Sequence, residues 1–120
     1  MKTQRGFTLI EILIAMSILS IGFLGASSLT VGIMKGNYHA KSTTTAIVLA
    51  QDRLERVVGA GYVSAVSNTE GYNSIPGYAA YRRDTTVSFN TPLVGMKTIN
   101  VQVFWKSDVG SVIVKTVLTP

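Results

Sequence analysis

The chain of 120 residues contains no cysteine. That excludes a disulfide framework, a thiolate metal site and a thiol nucleophile, so a part exposed outside the cytoplasm has to fold without covalent staples. There is a single histidine. His39 stands beside Lys41 with no cysteine or carboxylate at ligand spacing, and reads as a solvated residue. Asp84 and Asp108 have no acid partner nearby in sequence and form no calcium loop. A phosphate-cradling glycine motif and a serine nucleophile elbow are also missing. The expectation is a protein that is not an enzyme and has no metal or cofactor.

Charge is sparse, at 14% of residues, and the net balance is +5 without a block of one sign. Lys2 and Arg5 supply two of those five charges, leaving +3 on the remainder. That is too dilute for the basic stripe of a nucleic-acid binder. Arg82, Arg83, Lys97, Lys106 and Lys115 are open to clustering on the rim of a sheet. A solvated rim is the simpler reading, and nucleic acid is not an expected partner.

The first quarter of the chain is of a different kind. It begins MKTQRGFTLIEILIAMSILSIGFLG, and from Phe7 to Met34 it is almost uninterrupted apolar sequence. About 20 such residues cross a bilayer core as a helix. Lys2 and Arg5 before the segment argue for a cytoplasmic N-terminus. A secretory signal peptide would have an apolar run of roughly 7–15 residues and an A-x-A-like site. Here the run is longer, and Gly25-Ala26-Ser27 is a poor match. A plain uncleaved anchor leaves Glu11 without a purpose. An acid at mid-membrane depth costs roughly 2.5–3.5 kcal/mol, so Glu11 either lies near the interface or has a partner.

R-G-F-T-L-I-E closely resembles the processing signature of type IV prepilins and pseudopilins. The resemblance implies a short basic leader cut after its glycine by a membrane aspartyl peptidase, which then N-methylates the new first residue. Matched residue by residue, the cut falls between Gly6 and Phe7, Phe7 carries the methyl group, and Glu11 is the acid five residues into the mature chain. The resemblance further implies that the Phe7 amine of an incoming subunit pairs with Glu11 of its neighbour. It also implies partners: other minor and major pilins or pseudopilins, the prepilin peptidase, an inner-membrane assembly platform and a cytoplasmic ATPase. The implied location is the bacterial inner membrane in a single pass with a periplasmic head, and then a filament.

Ser28, Gly32 and Gly36 are four residues apart, as are Gly22 and Ala26. Such small-xxx-small faces let helices approach closely, though ordinary glycine tolerance in a membrane helix accounts for them equally well. Past Lys35 the pattern turns amphipathic. Ile47, Ala50, Leu54 and Val57 or Val58 recur on one helical face, and Asp52 to Arg56 is a favourable i, i+4 pair. Gly59 or Gly61 is the expected stop. One helix from Phe7 to about Val58 would be roughly 78 Å long.

Tyr62 to Ala79 reads as a loop, with Pro76-Gly77 suited to the centre of a type II turn. Its tyrosines either make contacts there or cover the core. Three alternating runs follow: Tyr81–Phe89, with Arg83 breaking the apolar face; Thr98–Trp105; and Val112–Leu118. They predict an antiparallel sheet. Asn90–Met96 and Ser107–Gly110 are the expected connections, and Trp105 is the expected core aromatic. The fold class is α+β, a long N-terminal helix packed on three to four antiparallel strands. The expected divisions are a leader (1–6), a transmembrane or filament-core helix (7–34), an amphipathic continuation (35–60), a loop (61–79) and a sheet head (80–120).

Within the family, the run Ile18–Gly25 and the segment Ala50–Glu55 resemble PilV-type minor pilins, as do Val101–Trp105, Gly110 and the Leu118-Thr119 ending. The I-type pseudopilin of type II secretion systems is similar in pattern and also a short chain. The expected role is a minor pilin that primes filament assembly, with a secretion pseudopilin or a DNA-binding tip protein as alternatives. If the cut follows Gly6, a bulky residue there, such as Gly6→Leu, blocks processing. An immunoblot of membranes then shows only the precursor, whereas full processing of that variant contradicts the assigned cut.

Overall fold

The computed structural model describes residues 5–120, so Lys2 and most of the expected leader lie outside the described residues. The chain divides into two compact units, one ending at Tyr38 and the other running from His39 to Pro120. One helix, α1 (Leu9–Ala60), contributes to both.

In the first unit the apolar side chains of α1, from Leu9 to Met34, are exposed. Among the described residues, α1 is the one helix long and apolar enough to cross a membrane. Ser17, Ser20, Ser27, Ser28 and Thr30 each donate to the carbonyl four residues back, at 2.7–3.0 Å. The hydroxyls are thus satisfied within the helix, as hydrocarbon surroundings require.

The second unit is an α+β head in which the end of α1 packs on a four-stranded antiparallel sheet. Its strands are β1 (Asn68–Glu70), β2 (Tyr81–Phe89), β3 (Lys97–Trp105) and β4 (Gly110–Leu118), in that spatial order. The β2–β3 ladder runs from Tyr81↔Trp105 to Phe89↔Lys97, and the β3–β4 ladder from Lys97↔Leu118 to Trp105↔Gly110. Both are in unbroken register, so every second residue of each strand faces the helix. Central β3 contributes Ile99, Val101 and Val103, which are fully buried, and Trp105. Opposite them lie Ala46, Leu49, Ala50 and Val57 of α1. Ala46 and Ala50 have no solvent exposure.

The helix stops where Gly61 takes a φ of +91° and donates to the Val58 carbonyl. A left-handed residue suits glycine there. Ile75–Tyr78 forms the expected turn, with Gly77 at φ +78° and Tyr78 N–H on the Ile75 carbonyl at 3.0 Å. Gly110 has a different reason to be glycine. A Cβ at Gly110 would meet Trp105 ring atoms Cζ2 and Nε1 at 2.6 Å, so the indole lies against bare backbone.

Four expectations need correction. A short strand, β1, lies within the segment expected to be loop. Ile47 lies off the buried face, which is instead Ser42, Ala46, Leu49, Ala50 and Val57. Ala50, Val57 and partly buried Leu54 keep the expected face, but it is centred further toward Ser42, Ala46 and Leu49, where two of the three residues are weak hydrophobic markers. Phe89, grouped with the inward face of β2, is exposed at the strand end. Finally, Arg83 and Lys97 are buried on the helix side of the sheet and do not belong to a cationic rim.

Each of these two cations is buried because its donors are satisfied. Arg83 donates from Nε and Nη2 to the two oxygens of Glu70, and from Nη1 to the Leu49 carbonyl at 2.9 Å and to Asp52 at 3.4 Å. It therefore fastens β1 and α1 to the centre of the sheet. Lys97 Nζ donates to the Tyr62 and Ala65 carbonyls and lies over the Tyr62 ring at 4.4 Å and the Phe89 ring at 4.9 Å. It closes the loop that follows the helix.

The hydrogen bond from Arg83 holds the Glu70 carboxyl below the usual carboxylate range, against the opposing effect of burial. A carboxyl whose pKa falls on folding stabilises the fold fully above its unfolded value, and that contribution is lost as pH drops through the folded value. The urea midpoint of the full chain in detergent micelles should therefore hold steady at neutral pH and fall below about pH 4.5, the ordinary carboxyl value. Glu70→Gln should cost about 1–3 kcal/mol at pH 7 and flatten this acid limb. An unchanged acid limb in that variant would contradict the assignment.

Candidate assembly site at the helix N-terminus

Arg5, Gly6, Phe7 and Thr8 precede α1 in non-helical, exposed backbone. Nothing lies within 4 Å of where a Gly6 side chain would begin. The Gly6–Phe7 bond, where the sequence leads one to expect a cut, thus sits in an exposed, non-helical segment immediately before the helix. Non-helical backbone of this kind is what a peptidase cleft can take up, because helical peptide bonds are hydrogen-bonded and curled.

Thr8 and Glu11 hold the start of the helix between them. Thr8 N–H donates to Glu11 Oε2 at 2.9 Å, and Glu11 N–H donates to Thr8 Oγ1 at 3.3 Å. The Ile12 N–H reaches the Thr8 carbonyl at 3.3 Å. This is a reciprocal capping box, with Thr8 as the cap and Glu11 at the third helical position. It satisfies two orphan N–H groups at the helix start. The negative charge also sits at the positive end of the helix dipole.

The box answers half of the question that Glu11 raises. The carboxylate has a local donor, yet it stays exposed and uses one oxygen for the cap. A carboxylate offers about four acceptor positions, so capacity remains for a cation. Phe7, 87% exposed, and Glu11 share one shallow apolar hollow with Ile12, Ala15, Met16 and Leu19. A second hollow follows along α1, lined by Ile18, Leu19, Gly22, Phe23 and Ala26. The small residues Gly22 and Ala26 form part of its lining.

Thr8 was missed in the sequence, although T-x-x-E before an apolar run is a readable capping signal. The candidate cations of the head do not come together. Arg82 lies on the outer face of the sheet, paired with Asp84 at 3.3 Å and Asp108 at 3.6 Å, and stacked over Phe104 at 4.2 Å. Lys106 and Lys115 are exposed. His39 is exposed too, its ring 6.4 Å from that of Trp105.

A prokaryotic N-terminal methylation motif matches residues 1–27. Searches of curated proteins and of solved structures return no match. Together with the apolar helix and the α+β head, the motif supports a precursor of the type IV pilin or pseudopilin class. Such a precursor is anchored in the membrane, acted on by a prepilin peptidase and assembled with other pilins. The motif points to a structural subunit rather than an enzyme.

Thr8→Ala should weaken the cap by about 1 kcal/mol, while Thr8→Ser should keep it. Amide exchange of Leu9 to Ile12 in micelles reads the difference. Equal exchange in the three proteins would remove the capping role.

Proposed function

We propose that the chain is a minor pilin that primes type IV pilus assembly, cut between Gly6 and Phe7, with Phe7 N-methylated. Carrying this reading is the methylation motif over residues 1–27, with Glu11 at the helix start beside Phe7. Cleavage creates a cationic amine at Phe7, and methylation keeps the charge. In apolar surroundings an unpaired charge is costly, so pairing that amine with Glu11 of a neighbouring subunit favours assembly and sets register. Glu11 is an assembly residue with two tasks: it caps its own helix and receives its neighbour.

In this reading residues 1–6 are the leader, 7–34 the membrane and filament-core helix, 35–60 its amphipathic continuation, 61–79 the connecting loop, and 80–120 the rest of the head. The N-terminus faces the cytoplasm and the head the periplasm. Partners are other minor and major pilins, the prepilin peptidase and the inner-membrane platform. The resemblance of Ile18–Gly25 and Ala50–Glu55 to PilV-type subunits favours the pilus. The second reading is a minor pseudopilin of type II secretion, whose I-type subunit the residue pattern also resembles. With Arg83 and Lys97 buried and Arg82 paired, a DNA-binding tip has little cationic surface left.

A deletion strain separates the two main readings. Loss of sheared surface filaments with intact exoprotein secretion supports the pilus role, and the reverse pattern supports the pseudopilin. If both survive, neither role stands. Complementation then tests the pairing. Glu11→Gln keeps an acceptor for the Thr8 cap but loses the charge, so it should be processed normally and restore less than about a tenth of the filaments, as should Glu11→Ala; the expectation follows from the cost of an unpaired amine. Normal incorporation of Glu11→Gln would remove the charge from the mechanism.

A further inference from the structure

The two edges of the sheet are unlike. At one edge β1 has three residues, and past it the N–H of Val87 donates to Ser67 Oγ at 2.9 Å. That edge is short and partly covered. At the other, β4 runs nine residues in unbroken register with β3. Among the described residues, no hydrogen bond beyond that ladder reaches it. It has no proline and no bulge; the one blunting device it carries is a lysine, Lys115, which repels another cationic strand and leaves an acidic one admissible. A row of main-chain donors and acceptors is left open along its length.

The side chains along this edge have a definite pattern. On the outward face Ile113, Lys115 and Val117 follow one another at alternate positions, all exposed, with Ile113 at 58% and Val117 at 44%. Lys115 has no acid within ion-pair distance among the described residues. The nearest hairpin acid, Asp108, is engaged by Arg82 and by Tyr72, whose Oη donates to it at 2.8 Å. Lys106 adds a second exposed cation at the hairpin. The edge is therefore apolar–cationic–apolar with no negative charge of its own to spare.

We propose that β4 accepts an extended strand of a partner protein that carries an aspartate or glutamate opposite Lys115, flanked two residues away on each side by apolar residues. Main-chain hydrogen bonds supply the attachment, and the alternate side chains select the partner. Opposite charges placed across a strand pair stabilise it, and like charges destabilise it. The same rule disfavours a second copy of this chain. Antiparallel self-pairing about Val114 places the two Lys115 side chains diagonally across one face, and other registers keep a lysine without an acid. This inference does not depend on the pilus or secretion reading.

The test uses the full chain in detergent micelles with two synthetic nine-residue peptides of alternating valine and threonine. One has a central glutamate on the valine face and the other a central lysine; both are N-methylated along one edge so that they cannot stack on themselves. The glutamate peptide should bind several-fold more tightly and slow amide exchange at alternate residues of β4, leaving β1 unchanged. Lys115→Glu, at an exposed position, should reverse the order of the peptides. Three results would overturn the proposal. Neither peptide slows β4 exchange; or both bind equally to the wild type and to Lys115→Glu; or β4 is already protected without peptide by concentration-dependent dimerisation, which makes a second copy the occupant.

Discussion

An ionised carboxylate at the start of an apolar helix needs donors, and hydrocarbon surroundings would not supply them. The chain meets this need locally through Thr8, whose N–H and hydroxyl close a reciprocal box with Glu11. The box fixes where the helix begins. It leaves Gly6 and Phe7 outside, in open backbone, and keeps Glu11 exposed beside Phe7. Processing and assembly thus make opposite demands on neighbouring residues. In the proposed reading a peptidase takes up non-helical chain as far as Phe7, whereas packing into a filament uses the helix from Leu9 onward.

The head has a similar problem in miniature. Arg83 stands on a face of β2 that is otherwise turned to the core. Burying a guanidinium is costly unless its donors are met, and they are met by Glu70, Asp52 and the Leu49 carbonyl. One buried cation thus joins the first strand, the helix and the sheet centre in a domain too small for a large core and without disulfides. Lys97 does comparable work at the loop after the helix, with carbonyls and aromatic faces in place of acids.

Where the apolar pattern was strong, the sequence was a sufficient guide. The long helix, the nine-residue strands β2 and β3, the Pro76-Gly77 turn and the buried Trp105 all follow from periodicity and turn chemistry. The processing motif was legible because it combines a glycine, an aromatic, an acid and a long apolar run at fixed spacing. What escaped depended on partners distant in sequence. Arg83 and Glu70 are thirteen residues apart, and nothing local to either shows that the two will meet, so Arg83 read as a break in an apolar face open to the rim, and Lys97 as a rim charge. Strand β1 exists because β2 offers it an edge, and three residues of Asn-Thr-Glu have no pattern of their own. Ala50 was read on the buried face, but Ala46 and Ser42 were not, because small residues weigh little in hydrophobic periodicity.

The central claim is that this chain is made to lose its leader at Gly6 and to present a methylated cationic amine at Phe7. Mass spectrometry of the protein purified from its own membranes reads that terminus directly. The account predicts a mature chain that starts at N-methylphenylalanine 7. A chain that keeps Met1, or one cut within the apolar segment near Ala26, would contradict it and return Glu11 to a purely local capping role.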